Sequence, residues 1–303
     1  MTRPTFTIIT PNLNNAAYLE RTICSVLDQD YPDVEYIVAD GGSRDDSLDI
    51  IERYADELAS WRSEPDAGPA EAINAALARA RGDIVGILPS DDVYLPHTLH
   101  EVADRLDDDA GPRWLVGDCV DLGPHDEQLG QVRAEPPNSL VSFLAHDSGV
   151  LPRAACFYRR ELLDGDDAFD AHYRYAFDYD LHARLLGRGL SPGIASLPLA
   201  ARHESPAVRS MREVLRQGRE FIDVAARHAR HLPRREQAQL ARNCDERRCI
   251  YTLAEAEARR DDTRRILWQQ LLRHPWWLGY AHYRRMLLSR DANETGPHRL
   301  HAA

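Results

Sequence analysis

The chain opens on Thr5-Phe-Thr-Ile-Ile-Thr10, an apolar run of strand length, and then changes period. From Asn15 to Asp28 the apolar residues Leu19, Ile23, Val26 and Leu27 recur at helical spacing. The pair repeats: Glu35–Asp40 reads as a second strand, and Asp46 to Leu58 as a helix with Leu48, Ile51 and Leu58 on one face. A short segment at Ala59–Ser63, a helix from Pro69 to Arg81 with proline in its first turn, and a strand over Asp83–Leu88 continue the alternation. Alternating strands and helices predict a mostly parallel, doubly wound sheet, in which ligands bind beyond the carboxyl ends of the strands. Arg113–Val120, Glu127–Ala134 and Ala155–Tyr158 predict further strands. From Ala207 the period is almost wholly helical, with stops at Pro233, Asp261-Asp262 and Pro275, which predicts about four helices. The expected organisation is an α/β domain over residues 1–205 and a basic helical extension over 206–303.

Composition sharpens this picture in two ways. Hydrophobic content is 43%, and no run approaches the ~20 apolar residues that cross a bilayer. With no secretory signal at Met1-Thr2-Arg3-Pro4, a cytoplasmic setting is expected. The net charge of −12 is unevenly spread: residues 1–204 carry 17 Arg against 37 acidic residues, whereas 205–303 carry 20 Arg against 12. An acidic first part argues against nucleic acid as a partner. Five cysteines without CxxC spacing indicate neither a disulfide framework nor a zinc site.

Three polar clusters fall at strand ends: Thr10-Pro11-Asn12, Asp40-Gly41-Gly42 and Pro89-Ser90-Asp91-Asp92. They are expected along one edge of the sheet. Adjacent carboxylates at Asp91-Asp92 repel unless a cation or a set of donors neutralises them, and oxygen ligands of this kind suit Mg²⁺ or Mn²⁺ bridging a diphosphate. The competing reading is a helix N-cap before Val93. Asp40 followed by two glycines suits close approach of backbone to a ligand, with an ordinary Asp-Gly turn as the alternative. A fourth cluster, Tyr175-Ala-Phe-Asp178-Tyr-Asp180, sets two carboxylates among aromatics, where either serves as a general base or caps the helix that follows. Apolar neighbours raise a carboxylate's pKa and a helix N-terminus lowers it, so the direction at Asp178 stays open. His203 is a lone histidine, of a type that also binds divalent metals.

Together these stretches resemble family 2 glycosyltransferases. The resemblance rests on Phe6-Thr-Ile-Ile-Thr-Pro-Asn-Leu-Asn-Asn15, Ser25-Val-Leu-Asp-Gln-Asp-Tyr-Pro32, Glu35-Tyr-Ile-Val-Ala-Asp-Gly-Gly-Ser43, Ser63-Glu-Pro-Asp-Ala-Gly68, Ala72-Ile73-Asn74, Arg81-Gly82-Asp83-Ile84, Ser90-Asp91-Asp92, Phe157-Tyr-Arg-Arg160 and Tyr175–Leu186. It spans about residues 5–205 and implies a GT-A fold and inverting transfer from a nucleotide sugar, UDP-sugar favoured. It further implies that Asp40 binds the uracil or ribose beside Thr10 and Pro11, with Asn12, Gly41, Asp66, Asn74, Ser90 and Asp91 completing the nucleotide site. Asp92 would hold Mg²⁺ or Mn²⁺, with Asp91 and His203 as further ligands, and Asp178 would be the catalytic base, with Asp180 its competitor. The implied acceptor is a glycan or lipid-linked hydroxyl in cell-envelope or extracellular polysaccharide synthesis. Two departures, Ala70-Glu71 before Ala-Ile-Asn and the loss of a glutamine around Ala154, touch the sugar or acceptor pocket.

The basic extension ends in His274-Pro-Trp-Trp-Leu-Gly-Tyr-Ala-His-Tyr-Arg-Arg-Met-Leu-Leu288, suited either to an anionic membrane or to the core of a lid or homodimer element. Rival readings are a nucleotidyltransferase and a degenerate sugar-nucleotide-binding scaffold. The first lacks the glycine-rich basic loop it needs after strand one, since Thr10-Pro-Asn-Leu-Asn-Asn15 has neither glycine nor lysine.

Overall fold

A computed structural model of the chain describes residues 3–107, 110–146, 151–163, 165, 168–203, 211–258, 263–280, 283–284 and 287. The elements run β1 (Phe6–Asn12), α1 (Ala16–Leu27), β2 (Val34–Asp40), α2 (Ser47–Arg53), β3 (Ser60–Ser63), α3 (Pro69–Leu77), β4 (Ile84–Ile87), β5 (Asp92–Tyr94) and α4 (Thr98–Leu106). They continue with β6 (Trp114–Leu122), β7 (Gln128–Val132), α5 (Leu140–Leu144), β8 (Cys156–Arg159), α6 (Phe177–Gly187) and β9 (Gly193–His203). Three long helices follow: α7 (Met211–Ala229), α8 (Arg234–Ala258) and α9 (Thr263–Arg273). The chain divides into two compact units, residues 1–143 with 148–207, and residues 144–147 with 208–303.

In the first unit the sheet order is β3-β2-β1-β4-β8-β6-β9-β5, with β7 paired to β6. Strands β3, β2, β1 and β4 are parallel, joined by helical crossovers. Helices on both faces bury these strands, which is why β1 and β4 read as near-continuous apolar runs rather than alternating ones. Phe6, Ile8, Leu19, Ile23, Val38, Ile51 and Leu99 anchor the core, and the Phe6 ring meets Tyr31 edge-on at 4.9 Å. Gly82 permits the approach to β1, since a Cβ there would collide with the backbone of Phe6 and Thr7. Gly42 takes φ +79°, a left-handed conformation that glycine adopts without strain.

The second half of the sheet reverses direction three times, and this decides what reaches the ligand edge. Strand β8 is antiparallel to both β4 and β6, so its N-terminal end lies where β4 ends. Strands β6 and β9 are parallel, which carries His203 to the same edge. Strand β5 then pairs antiparallel with β9, setting Asp92 opposite Arg202. The competing N-cap reading of Asp91-Asp92 is not found: Asp92 opens a strand, and the next helix begins at Thr98.

The second unit is helical. Helices α7 and α8 close tightly where Gly218 faces the Tyr251 ring, which a Cβ would strike. A small core of Cys249, Leu253, Leu267, Trp277 and Tyr283 ties α8 and α9 to the 3₁₀ turn Pro275–Gly279. One oxygen of Asp245 accepts from Trp276 Nε1 at 2.6 Å, Trp277 Nε1 at 3.0 Å and Tyr280 Oη at 3.2 Å. Among the described residues no helix is long and apolar enough to cross a membrane.

Candidate functional site

At the end of β2, Asp40 lies in register with Asn12 of β1 on one side and Ser63 of β3 on the other. It is buried, and its oxygens accept from Asn12 Nδ2 at 2.7 Å, Ser43 Oγ at 2.5 Å, Ser63 Oγ at 2.6 Å and the backbone N–H groups of Gly42 and Ser43. Burial pushes this carboxyl up, but the donors, Ser43 and Ser63 foremost, outweigh it and hold the group below the usual carboxylate range. Asp40 is therefore a fixed anion whose acceptor capacity is largely taken up inside the protein. Thr10 is likewise occupied, its buried hydroxyl 3.0 Å from Tyr36 Oη, while Pro11 stays half-buried at the strand end.

Beside Asp40 a cleft open to solvent runs between α3 and the β2–β3 surface. Val38, Trp61, Ala72 and Ala76 give it apolar walls, and Asp40, Asp66 and Glu71 give it carboxylates. Asp66 presses on Gly41 so closely that a Cβ there would sit 2.7 Å from its Oδ2. Burial, with the charges of Glu71 and Asp40, raises the Asp66 carboxyl despite the Gly68 N–H and Arg174. Apolar walls with the Asp66 and Glu71 carboxylates at the rim suit a heteroaromatic ring carrying N–H groups. Asn74 does not face this slot with a spare amide: it donates to the Phe169 carbonyl at 2.7 Å and accepts from the Phe169 N–H at 3.0 Å. These two bonds hold the segment before α6.

The Ser90-Asp91-Asp92 turn is stitched to α1. Asn15 Nδ2 donates to Ser90 Oγ at 3.0 Å, and Thr22 Oγ1 donates to the carbonyls of Ser90 and Asp92. All three expected strand-end clusters thus share one edge, as the alternation required. Asp92 is buried at 8% exposure and its charge helps hold the guanidiniums of Arg153 and Arg202 protonated. His203 reaches this turn but is engaged at both ring nitrogens. Nδ1 lies 2.8 Å from the Asp91 carbonyl, and Nε2 lies 2.9 Å from Asp126 and 3.2 Å from Arg21. With Nδ1 donating to a carbonyl and Nε2 meeting a carboxylate, His203 ties the β6–β7 turn to the Asp91 backbone. His203 and Arg21 hold the Asp126 carboxyl below its ordinary value.

Among the described residues no three His, Cys, Asp or Glu side chains gather to hold a metal. Mg²⁺ held through one or two carboxylates and completed by phosphate oxygens needs no such group, so the adjacent Asp91 and Asp92 carboxylates fit that chemistry.

Asp178 and Asp180 both lie in the first turn of α6, but neither caps it, since the N-cap is Ala176. Asp178 Oδ2 accepts from Arg153 Nε at 2.8 Å, and its Oδ1 from the Tyr179 N–H at 2.9 Å. Burial raises this carboxyl, but the Arg153 guanidinium, aided by His182, outweighs it and leaves the group below the ordinary range. Arg153 itself is fixed by the Tyr175 carbonyl at 3.1 Å and by the Phe177 ring 4.4 Å beneath it. Asp180 differs: its side chain is 1% exposed against 12% for Asp178, and Arg184 binds it at 2.9 Å. It belongs to the scaffold. Sequence reading missed Arg153, Asp126 and Arg21; the pairs they form lie 25, 77 and 182 positions apart in the chain, so no spacing signals them.

The Glycosyl transferase family 2 profile matches residues 7–165. Glycosyltransferase Rv1514c of Mycobacterium tuberculosis, itself uncharacterised, is 33% identical over 185 residues, 60% of this chain and 68% of that one. The putative teichuronic acid biosynthesis glycosyltransferase TuaG of Bacillus subtilis is 40% identical over 102 residues, 33% of this chain and 40% of that one. Among solved structures, the mannosyltransferase PcManGT of Pyrobaculum calidifontis with GDP-Man and Mn²⁺ superposes at TM-score 0.59 and 22% identity, covering 95% of this chain and 84% of that one. S. aureus TarS 1-349 in complex with UDP-GlcNAc superposes at 0.55 and 19% identity, covering 89% and 92%.

Proposed function

Given that the chain belongs to glycosyl transferase family 2 and has the GT-A fold, we propose that it is an inverting transferase of cell-envelope polysaccharide synthesis. It would move a sugar from a nucleoside diphosphate donor, UDP-sugar first, to a hydroxyl of a glycan or lipid-linked acceptor. One observation supports this reading: Asp40 ends β2, the Asp91-Asp92 turn follows β4, and Arg153, which binds Asp178, precedes the end of β8 that lies beside the end of β4. Envelope synthesis is supported by the likeness to TuaG, and a nucleotide-sugar donor by the folds that hold UDP-GlcNAc and GDP-Man.

The base and ribose would enter the cleft beside Asp40 and Asp66. Asp92, with Asp91, would hold Mg²⁺ or Mn²⁺, and His203 would steady the turn that bears them. When bound, that ion neutralises charge gathering on the departing diphosphate. Asp178 accepts the proton of the acceptor hydroxyl as its oxygen bonds to the anomeric carbon. The bond from that carbon to the diphosphate oxygen breaks on the opposite face, so configuration inverts. Arg153 keeps Asp178 ionised and therefore ready to accept the proton at neutral pH.

The test is Asp178→Asn assayed by donor hydrolysis and sugar transfer across UDP- and GDP-sugars. Turnover should fall about 10²–10⁴-fold while nucleotide binding persists. Undiminished turnover would remove Asp178 from the role of base.

A further inference from the structure

We propose that the second unit carries a docking surface for an anionic lipid bilayer, formed by Trp268, Leu272, Trp276 and Leu278 and edged by Arg273 and Arg284. The helical extension divides its aromatic residues sharply. Trp277 and Tyr283 are buried in the unit's core, and the His274 ring stacks on Trp277 at 4.6 Å. Trp268, Leu272, Trp276 and Leu278 are exposed at 57%, 85%, 57% and 43%. Trp268 and Leu272 are four positions apart on α9 and share a face, and Trp276 follows four positions later in the 3₁₀ turn.

Trp276 is not loosely placed. Its indole N–H is bound by Asp245, which also binds Trp277 and Tyr280, so the ring is held with much of its surface in solvent. The same Asp245 thus fixes an exposed and a buried tryptophan side by side. Apart from Asp245, whose carboxylate is taken up by Trp276, Trp277 and Tyr280, the segment that bears the patch carries charge of one sign. From Thr263 to Arg290 the chain has six arginines and no aspartate or glutamate. Arg284 donates to the carbonyls of Leu278 and Gly279, which pins a cation beside the exposed Leu278.

Amphipathic rings and leucines beside arginines match the headgroup layer of an anionic membrane, where apolar burial and attraction to lipid charge add. A second copy of the chain is disfavoured by symmetry. A twofold interface would set the patch against itself, and so Arg273 and Arg284 against their own copies, with the Asp245 carboxylate already engaged by Trp276, Trp277 and Tyr280.

The test is flotation of the full chain with vesicles of phosphatidylcholine plus phosphatidylglycerol, and with phosphatidylcholine alone. The chain should float with the anionic vesicles and far less with the neutral ones. Trp268→Ser with Leu272→Ser should weaken binding about tenfold. Arg273→Gln should weaken it about fivefold, an effect lost in high salt. Leu129→Ser, an exposed residue of β7, should bind as the unchanged chain does. Both exposed-residue variants should keep the parent's helical circular dichroism. Equal flotation of the Trp268/Leu272 variant overturns the proposal. So does a wild-type chain that ignores anionic vesicles, or one that forms a dimer which that variant disperses.

Discussion

At the scale of single residues, the site is governed by which carboxylates have an internal cation or donor set. Asp178 sits below the ordinary carboxylate range because Arg153 outweighs the effect of burial. Arg153→Gln should therefore move the acidic limb of the rate-against-pH profile to higher pH, since the base then protonates more readily; an unmoved limb would count against the pairing. Loss of the ion pair should also cost about 1–3 kcal/mol in denaturant unfolding, the lower end if water reaches the half-buried partner. His182 supplies a second pH effect. It is buried between Trp114 and Tyr158, 2.6 Å from Tyr158 Oη, and burial pushes its pKa down to about 4. A depressed folded-state value means that the unfolded chain binds the proton first. Stability is thus complete above pH of about 6.5 and declines toward pH 4, by roughly 3 kcal/mol at most. In His182→Gln the urea midpoint should change less between pH 7 and pH 5 than in the parent. None of this was legible from residue order. The sequence marks Asp178 as a candidate, but its direction of shift depends on Arg153, which the reversed strand β8 brings in from 25 positions away.

At the scale of elements, the βα units of the first half were readable because buried parallel strands and amphipathic helices have different periods. The expected helix over Asn15–Asp28 is α1, and the strand over Glu35–Asp40 is β2. The helix expected to reach Leu58 ends at Arg53, where the chain turns through Tyr54–Leu58 instead. Strand β5, helix α4 and strand β9 went unread. Strand β5 has three residues and forms only by pairing with β9, a partner about 110 residues distant, and Asp92 at its start resembles a cap. Of the C-terminal stops, Pro233 precedes α8 and Pro275 opens the 3₁₀ turn, while Asp261-Asp262 lies outside the described residues. Packing between elements gives a further expectation. Gly82→Ala places a methyl against the backbone of β1, which cannot yield as a side chain would. It should cost about 1–3 kcal/mol by denaturant midpoint, whereas Gly130→Ala, with 3.6 Å to its nearest neighbour, should be close to neutral.

At the scale of the whole molecule, the charge asymmetry and the change of period near residue 205 both reflect two units with separate cores. Two cores allow two unfolding transitions, so calorimetry need not give a single cooperative peak. The nucleotide should act on one of them. UDP with Mn²⁺ at about a hundred times its dissociation constant should stabilise the first unit by about 2.7 kcal/mol, raising its midpoint several degrees, and EDTA should abolish the gain. A shift of the second unit's transition instead would relocate the nucleotide site. The extension beyond residue 205 was legible as helical and basic, but not in which of its aromatics are core. That division depends on Asp245 gathering Trp276, Trp277 and Tyr280, a contact across about 30 residues.

Asn74 has a consequence at this scale too. Its amide grips the Phe169 backbone at two points, so α3, which walls the cleft beside Asp40, and the segment leading into α6 share a splice. If donor fills the cleft and acceptor meets Asp178, this amide is the contact through which the two would be coupled. Linkage makes the two effects equal in free energy: if donor tightens acceptor binding by some factor, acceptor tightens donor binding by the same factor. A single amide would then serve as the joint through which two substrates sense each other, and Asn74→Ala should leave each able to bind while making their affinities independent.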